Sequence, residues 1–198
     1  VRVGAQDAYH EANGAFTGEV SLSMLKDVGV SVVLTGHSER RHVIGDNDEL
    51  INAKTRAALD AGLEVILCVC EKLEQREAGQ TDAINAGQVY YGLAGVSAEL
   101  MSKVTIAYEP VWAIGTGKTA TPQDAQSAHA AIRNILASMY DDTIAQATRI
   151  QYGGYVKAGN AAELIRQRDI DGGMIGGAAL KSADFLAIVD AAAGAPAA

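Results

Sequence analysis

Six short apolar or β-branched runs, each followed by a longer stretch of helical character, constrain this chain more than any single motif does. The runs fall at residues 2–5, 31–35, 64–70, 103–108, 149–152 and 173–175. Helical patterns fall at 20–28, 46–61, 71–86, 122–140, 160–167 and 182–192. Strands that alternate with helices imply βαβ units and a parallel sheet covered on both faces. The unbroken runs Val32-Val-Leu34 and Val65-Ile-Leu67 fit such a buried sheet, since a half-exposed strand would alternate apolar with polar residues.

Helix boundaries are punctuated. Asp46-Asn-Asp-Glu49 offers a capping side chain with an acid three residues on, and Gly62 a stop. Thr121-Pro122 places a capping hydroxyl before a proline at the first helical position. Beyond it Ala125, Ala128, Ile132, Ile135, Leu136 and Met139 form one apolar stripe.

The architecture expected is α/β, of the (β/α)8 barrel class, as one partial domain over residues 1–198 with a frayed tail at 191–198. Eight units typically need about 250 residues. The chain has 198 and opens on Val1-Arg-Val-Gly-Ala5, which reads as the middle of a strand, so about six of eight units are expected here and two N-terminal ones are not. A complete doubly wound sheet is the competing architecture. It would want Gly-x-Gly-x-x-Gly after an early strand, and none stands there.

A net charge of −8 disfavours a nucleic-acid backbone or an anionic membrane as partner. An anionic ligand would have to be held by backbone N–H groups and local dipoles. No apolar run approaches the ~20 residues of a membrane span, and no signal peptide opens the chain. Cys68 and Cys70, two apart on a strand, are expected to be reduced thiols in a cytoplasmic protein, with no metal site.

Four groups follow strands directly, on the edge where parallel α/β proteins place ligands. They are Gly36-His-Ser-Glu-Arg-Arg41, Glu109 with its loop, Tyr152-Gly-Gly-Tyr155, and Gly176-Gly177. A carboxylate at the end of a buried strand, such as Glu109, is costly unless solvated, paired or used. His37 stands where a helix would open, a position that disfavours the imidazolium and leaves a neutral donor or acid. Together they would supply a base and an electrophile. Residues 112–119 miss the nucleotide-binding Gly-x-x-x-x-Gly-Lys-Thr because Trp112 stands at its first glycine, so a flap with glycine hinges is expected. The paired glycines after the last two strands match the phosphate site common in barrels.

Ala107-Tyr-Glu-Pro-Val-Trp-Ala-Ile-Gly-Thr-Gly-Lys-Thr119 resembles the signature segment of the triosephosphate isomerases. Gly14-Ala-Phe-Thr-Gly-Glu-Val-Ser21, Gly36-His-Ser-Glu-Arg-Arg41, Tyr152-Gly-Gly and Gly176-Gly-Ala-Ala-Leu180 resemble that family in order and spacing, from the first residue to about Asp190. The resemblance implies interconversion of dihydroxyacetone phosphate and D-glyceraldehyde 3-phosphate through an enediolate, a glycolytic step without cofactor or metal. Glu109 would be the base and neutral His37 the electrophile that polarises the carbonyl. Glu39 would support them. Backbone at Gly115, Tyr155, Gly176 and Gly177 would hold the phosphate. Pro110, Val111, Trp112, Ala113, Ile114, Thr116, Gly117, Lys118 and Thr119 would form the lid. The loop from Asp7 to Thr17 would make a homodimer.

Two departures from the family pattern stand out. The family's Asn-x-Lys of the first strand matches nothing here, so the 198-residue polypeptide alone is expected to be nearly inactive; a non-catalytic barrel remnant and another phosphosugar-binding barrel are the alternatives. Tyr155 stands where serine is usual, which is expected to weaken phosphate binding. Asp7 for asparagine and Ala158 for proline are expected to be tolerated.

Overall fold

A computed structural model describes residues 1–113 and 120–194. Its strands are β1 (Val3–Ala5), β2 (Val30–Thr35), β3 (Glu64–Glu71), β4 (Val104–Pro110), β5 (Arg149–Tyr152) and β6 (Gly172–Gly173). They pair in parallel in strict chain order, β1 to β6. A doubly wound sheet reverses its order at a switch point, and this sheet does not. Sequential parallel order is that of a barrel wall, so the doubly wound alternative is set aside and the barrel class stands.

The helices are α1 (Leu22–Asp27), α2 (Asp48–Asp60), α3 (Leu73–Glu77), α4 (Thr81–Gly92), α5 (Pro122–Met139), α6 (Asp142–Ala147), α7 (Ala158–Ile165) and α8 (Ser182–Ala193). The pattern at 71–86 is not one helix. Glu71 finishes β3, the Gly79 N–H turns back onto the Arg76 carbonyl at 2.9 Å, and α4 restarts at Thr81. A short helix, α6, capped by Asp141, fills the span before β5 where none was expected. At α2 the cap is Asn47, whose side chain accepts the Leu50 N–H at 2.8 Å. Asp46 turns inward instead. α8 takes up residues 191–193 of the expected tail, and residues 195–198 lie outside the described part.

The α5 stripe behaves as the pattern requires. Ala125, Ala128, Ile132 and Leu136 are buried, and Ile135 and Met139 pack against the same core. Thr121 and Asp124 cap one another, Thr121 Oγ1 accepting the Asp124 N–H at 3.1 Å while Asp124 Oδ2 accepts the Thr121 N–H at 3.0 Å. Such a reciprocal pair satisfies two of the otherwise orphaned amides at a helix start.

Asp46 belongs to a buried charge cluster. Lys54, 2% exposed, donates to Asp46 at 2.7 Å and to both oxygens of Asp7 at 2.9 Å. Arg40 reaches Asp46 and Asp7 as well. Each charge in the cluster has two opposite partners, so the loss of any one residue leaves the others paired. Asp7, at the root of the loop expected to contact a second copy, is thereby tied to α2.

Candidate active site

Gly36 sets the direction of the chain as it leaves β2. It adopts φ +74°, and a Cβ there would come within 2.9 Å of the Arg41 guanidinium and 3.0 Å of the Cys68 carbonyl. Arg41 donates through Nε to the Gly36 carbonyl at 2.8 Å and through Nη2 to the Cys68 carbonyl at 3.1 Å. Its fork binds the start of this turn to β3, and the next residue, His37, is aimed over the end of the sheet.

Glu109 is 1% exposed near the end of β4. Its Oε1 accepts the Ser38 N–H at 3.1 Å, and its Oε2 accepts the Ser38 hydroxyl at 2.9 Å. Oε2 lies 3.1 Å from His37 Nε2. On the other side of the ring, Nδ1 accepts the Glu39 N–H at 3.3 Å. An imidazole nitrogen that accepts carries no proton, so this network assigns the ring proton to Nε2, which donates to Glu109. Burial pushes the Glu109 carboxyl above its usual range, against the pull of His37 and of Ser38's two donors.

Glu39 therefore touches the ring through its backbone. Its carboxylate is 82% exposed and stands 3.9 Å from Nδ1. Pro110 closes β4, and Val111, Trp112 and Ala113 form a 3-10 turn after it. Ile114, Gly115, Thr116, Gly117, Lys118 and Thr119, the rest of the expected lid and one phosphate contact, lie outside the described residues.

A solvent-open cleft of about 970 Å³ joins these pieces, with His37, Ser38, Glu109, Tyr155, Gly176 and Gly177 in its wall. Gly153 must lack a side chain, since a Cβ would stand 2.9 Å from Glu109 Cγ. Gly176 precedes the 3-10 turn Gly177–Leu180, and a Cβ on either glycine would meet nothing within 4 Å. Their backbone faces open cleft. Tyr155 is 56% exposed, with the Lys157 ammonium 5.6 Å from its ring centroid, and is not folded into the site.

Sequence reasoning missed three residues. Ser38, beside His37, is the chief donor to Glu109. Glu71, fully buried at the end of β3, accepts from Tyr108 Oη and Trp112 Nε1, each at 2.8 Å. The rule that singled out Glu109, a carboxylate closing a buried strand, would have found Glu71 too. Arg76 carried no local signal at all. The thiols of Cys68 and Cys70 are both free and buried, and burial pushes Cys70 up to about 12. Neither is a nucleophile near neutral pH.

A family model described as triosephosphate isomerase matches residues 1–192. The chain belongs to the triosephosphate isomerase family. A triosephosphate isomerase of Treponema pallidum (strain Nichols) is 56% identical over 188 residues, covering 95% of this chain and 76% of the relative. That of Herpetosiphon aurantiacus is 54% identical over 189 residues, or 96% and 76% of the two chains. That of Carboxydothermus hydrogenoformans is 56% identical over 189 residues, or 96% and 75%. The chain thus spans about three quarters of the length of these relatives. Among the described residues, no helix is long and apolar enough to cross a membrane.

Proposed function

We propose that this protein interconverts dihydroxyacetone phosphate and D-glyceraldehyde 3-phosphate by proton transfer through an enediolate, as its family's name implies. The observation that carries the reading is the Glu109–His37 pair. A buried carboxylate, raised in basicity by desolvation, touches an imidazole whose Nε2 bears the proton. Glu109 would take a proton from one carbon and return it to the next. His37 would leave Glu109 when substrate enters and donate its Nε2–H to the carbonyl oxygen, where negative charge develops. The amides of Tyr155, Gly176 and Gly177, with Gly115, would hold the phosphate, which suits a cleft whose wall is glycine-rich. Neither a metal nor a cofactor is needed.

The protein would work in the cytoplasm as a homodimer through the loop from Asp7 to Thr17, with nucleic acid and anionic membrane disfavoured as partners by its charge of −8. Turnover of dihydroxyacetone phosphate in D2O tests the reaction. Solvent deuterium at C2 of part of the aldehyde product is expected, since the proton held on Glu109 can exchange before its return, and undiminished turnover by Glu109→Gln would overturn the role of Glu109.

A further inference from the structure

The turn that carries the chain away from Glu109 is held through Trp112 by residues outside the cleft. Trp112 lies three positions past Glu109, in the 3-10 turn Val111–Ala113, and is 6% exposed. The edge of its indole is fixed by the Nε1–H bond to Glu71. Its face is covered by Arg76 of α3, whose guanidinium carbon stands 4.1 Å from the ring centroid. Arg76 also donates through Nη2 to Asp124 Oδ1 at 2.7 Å, and Asp124 is the capping partner of Thr121 at the start of α5. One side chain therefore bridges the turn leaving β4 and the N-terminus of the next helix. Its own helix, α3, begins two residues after β3 ends at Glu71. The Arg76–Asp124 ion pair is about a third exposed at each end, so by itself it adds little to stability. A cation over the face of an indole is attracted by the ring quadrupole, more strongly where the pair is desolvated.

We propose that Arg76 is a positioning residue for the isomerase reaction, acting through Trp112 to fix the turn that sets the place of Glu109. The inference rests on the reading of Glu109 as base. Glu109 and Trp112 are joined by only Pro110 and Val111, and Pro110 is in register with Glu71 across the sheet. Without the guanidinium over its face the ring would be held less firmly, and the place of the carboxylate would be set less sharply. A base displaced by about 1 Å can cost on the order of a hundredfold in rate. Arg76 does not line the cleft, so its loss should be felt in kcat and not in ground-state binding.

The test compares Arg76→Met, Arg76→Lys and Glu109→Gln in the protein as encoded. Trp112 is the sole tryptophan, so its fluorescence reports on the ring directly. Arg76→Met is expected to lower kcat about tenfold or more with KM within about threefold, and to shift the Trp112 emission. Arg76→Lys, which keeps a cation over the ring, is expected to recover much of both. Should Arg76→Met fail to fold, Arg76→Gln carries the same expectation. A kcat within about twofold of wild type in the uncharged variant, while Glu109→Gln is inactive, would overturn the role of Arg76 and leave the reaction standing. A loss seen only in KM would overturn it too. Undiminished turnover by Glu109→Gln would instead overturn the reading of Glu109.

Discussion

His37 presents Nε2 to Glu109 Oε2 across 3.1 Å, joining the ends of two strands, β2 and β4, that are separated in the sheet by β3. The contact exists because Gly36 turns the chain over the sheet edge and Ser38 holds the carboxylate from the same turn. A carboxylate held this way is buried, ready to ionise, and free to swing once substrate displaces its partners.

Ser38 is the first point of test. Its hydroxyl stabilises the ionised form of Glu109, opposing the rise caused by burial. In Ser38→Ala that pull is gone, so the carboxyl is raised further and stays protonated to higher pH. The acid limb of the kcat/KM profile is expected to move toward alkaline pH, with the loss of activity larger at pH 6 than at pH 8. An unmoved acid limb would show that Ser38 does not tune the base.

Tyr155 bears on the phosphate. Its ring projects outward beside Lys157, so the short hydroxyl usual at this position in the family is missing from the cleft. Tyr155→Ser restores a donor worth about 1 kcal/mol, and KM for the triose phosphate is expected to fall roughly fivefold. An unchanged KM would contradict this assignment.

His129 predicts how the fold responds to acid. It is fully buried on α5 between Tyr108 and Tyr152, its Nδ1–H donating to the Asp169 carbonyl at 3.1 Å. Burial pushes it down from 6.5 to about 4. The unfolded chain therefore binds this proton first as pH falls, and stability drains between pH 6.5 and pH 4, by about 3 kcal/mol from this group. Urea midpoints followed from pH 7 to pH 4 in wild type and His129→Phe should show the shallower fall in the variant. Parallel curves would rule His129 out as the source.

The 198-residue polypeptide by itself is expected to turn over little or no substrate. β1 and β6 leave the described sheet with two open edges, and Lys157 is the only Lys or Arg among the described residues of the cleft wall. Turnover close to that of a complete barrel would contradict this.

Much of this was legible in the sequence, for a physical reason. Parallel strands buried on both faces are written as unbroken apolar runs, and the groups past their ends share one edge of the sheet, so position alone singled out Glu109 and His37, while the roles proposed for them came from the family resemblance. What escaped depends on where side chains meet in space. Nothing local shows that the backbone N–H of Glu39 comes closer to the His37 ring, at 3.3 Å, than its carboxylate, at 3.9 Å. The run at 71–86 carries its break in Gly79, which takes φ +69° and turns its N–H back onto the Arg76 carbonyl, a stop between two helices that sequence reasoning missed. Arg76 acquires meaning only because α3 brings it over Trp112, 36 positions away.

Glu109 must reach the substrate carbon once His37 has turned from it to the carbonyl oxygen. Replacing it by the one-carbon-shorter Asp keeps the charge and withdraws the base by about 1 Å, and kcat of the protein as encoded is the direct readout. A fall on the order of a hundredfold or more, with KM little changed, is the result predicted. A kcat near that of wild type would mean that another group moves the proton.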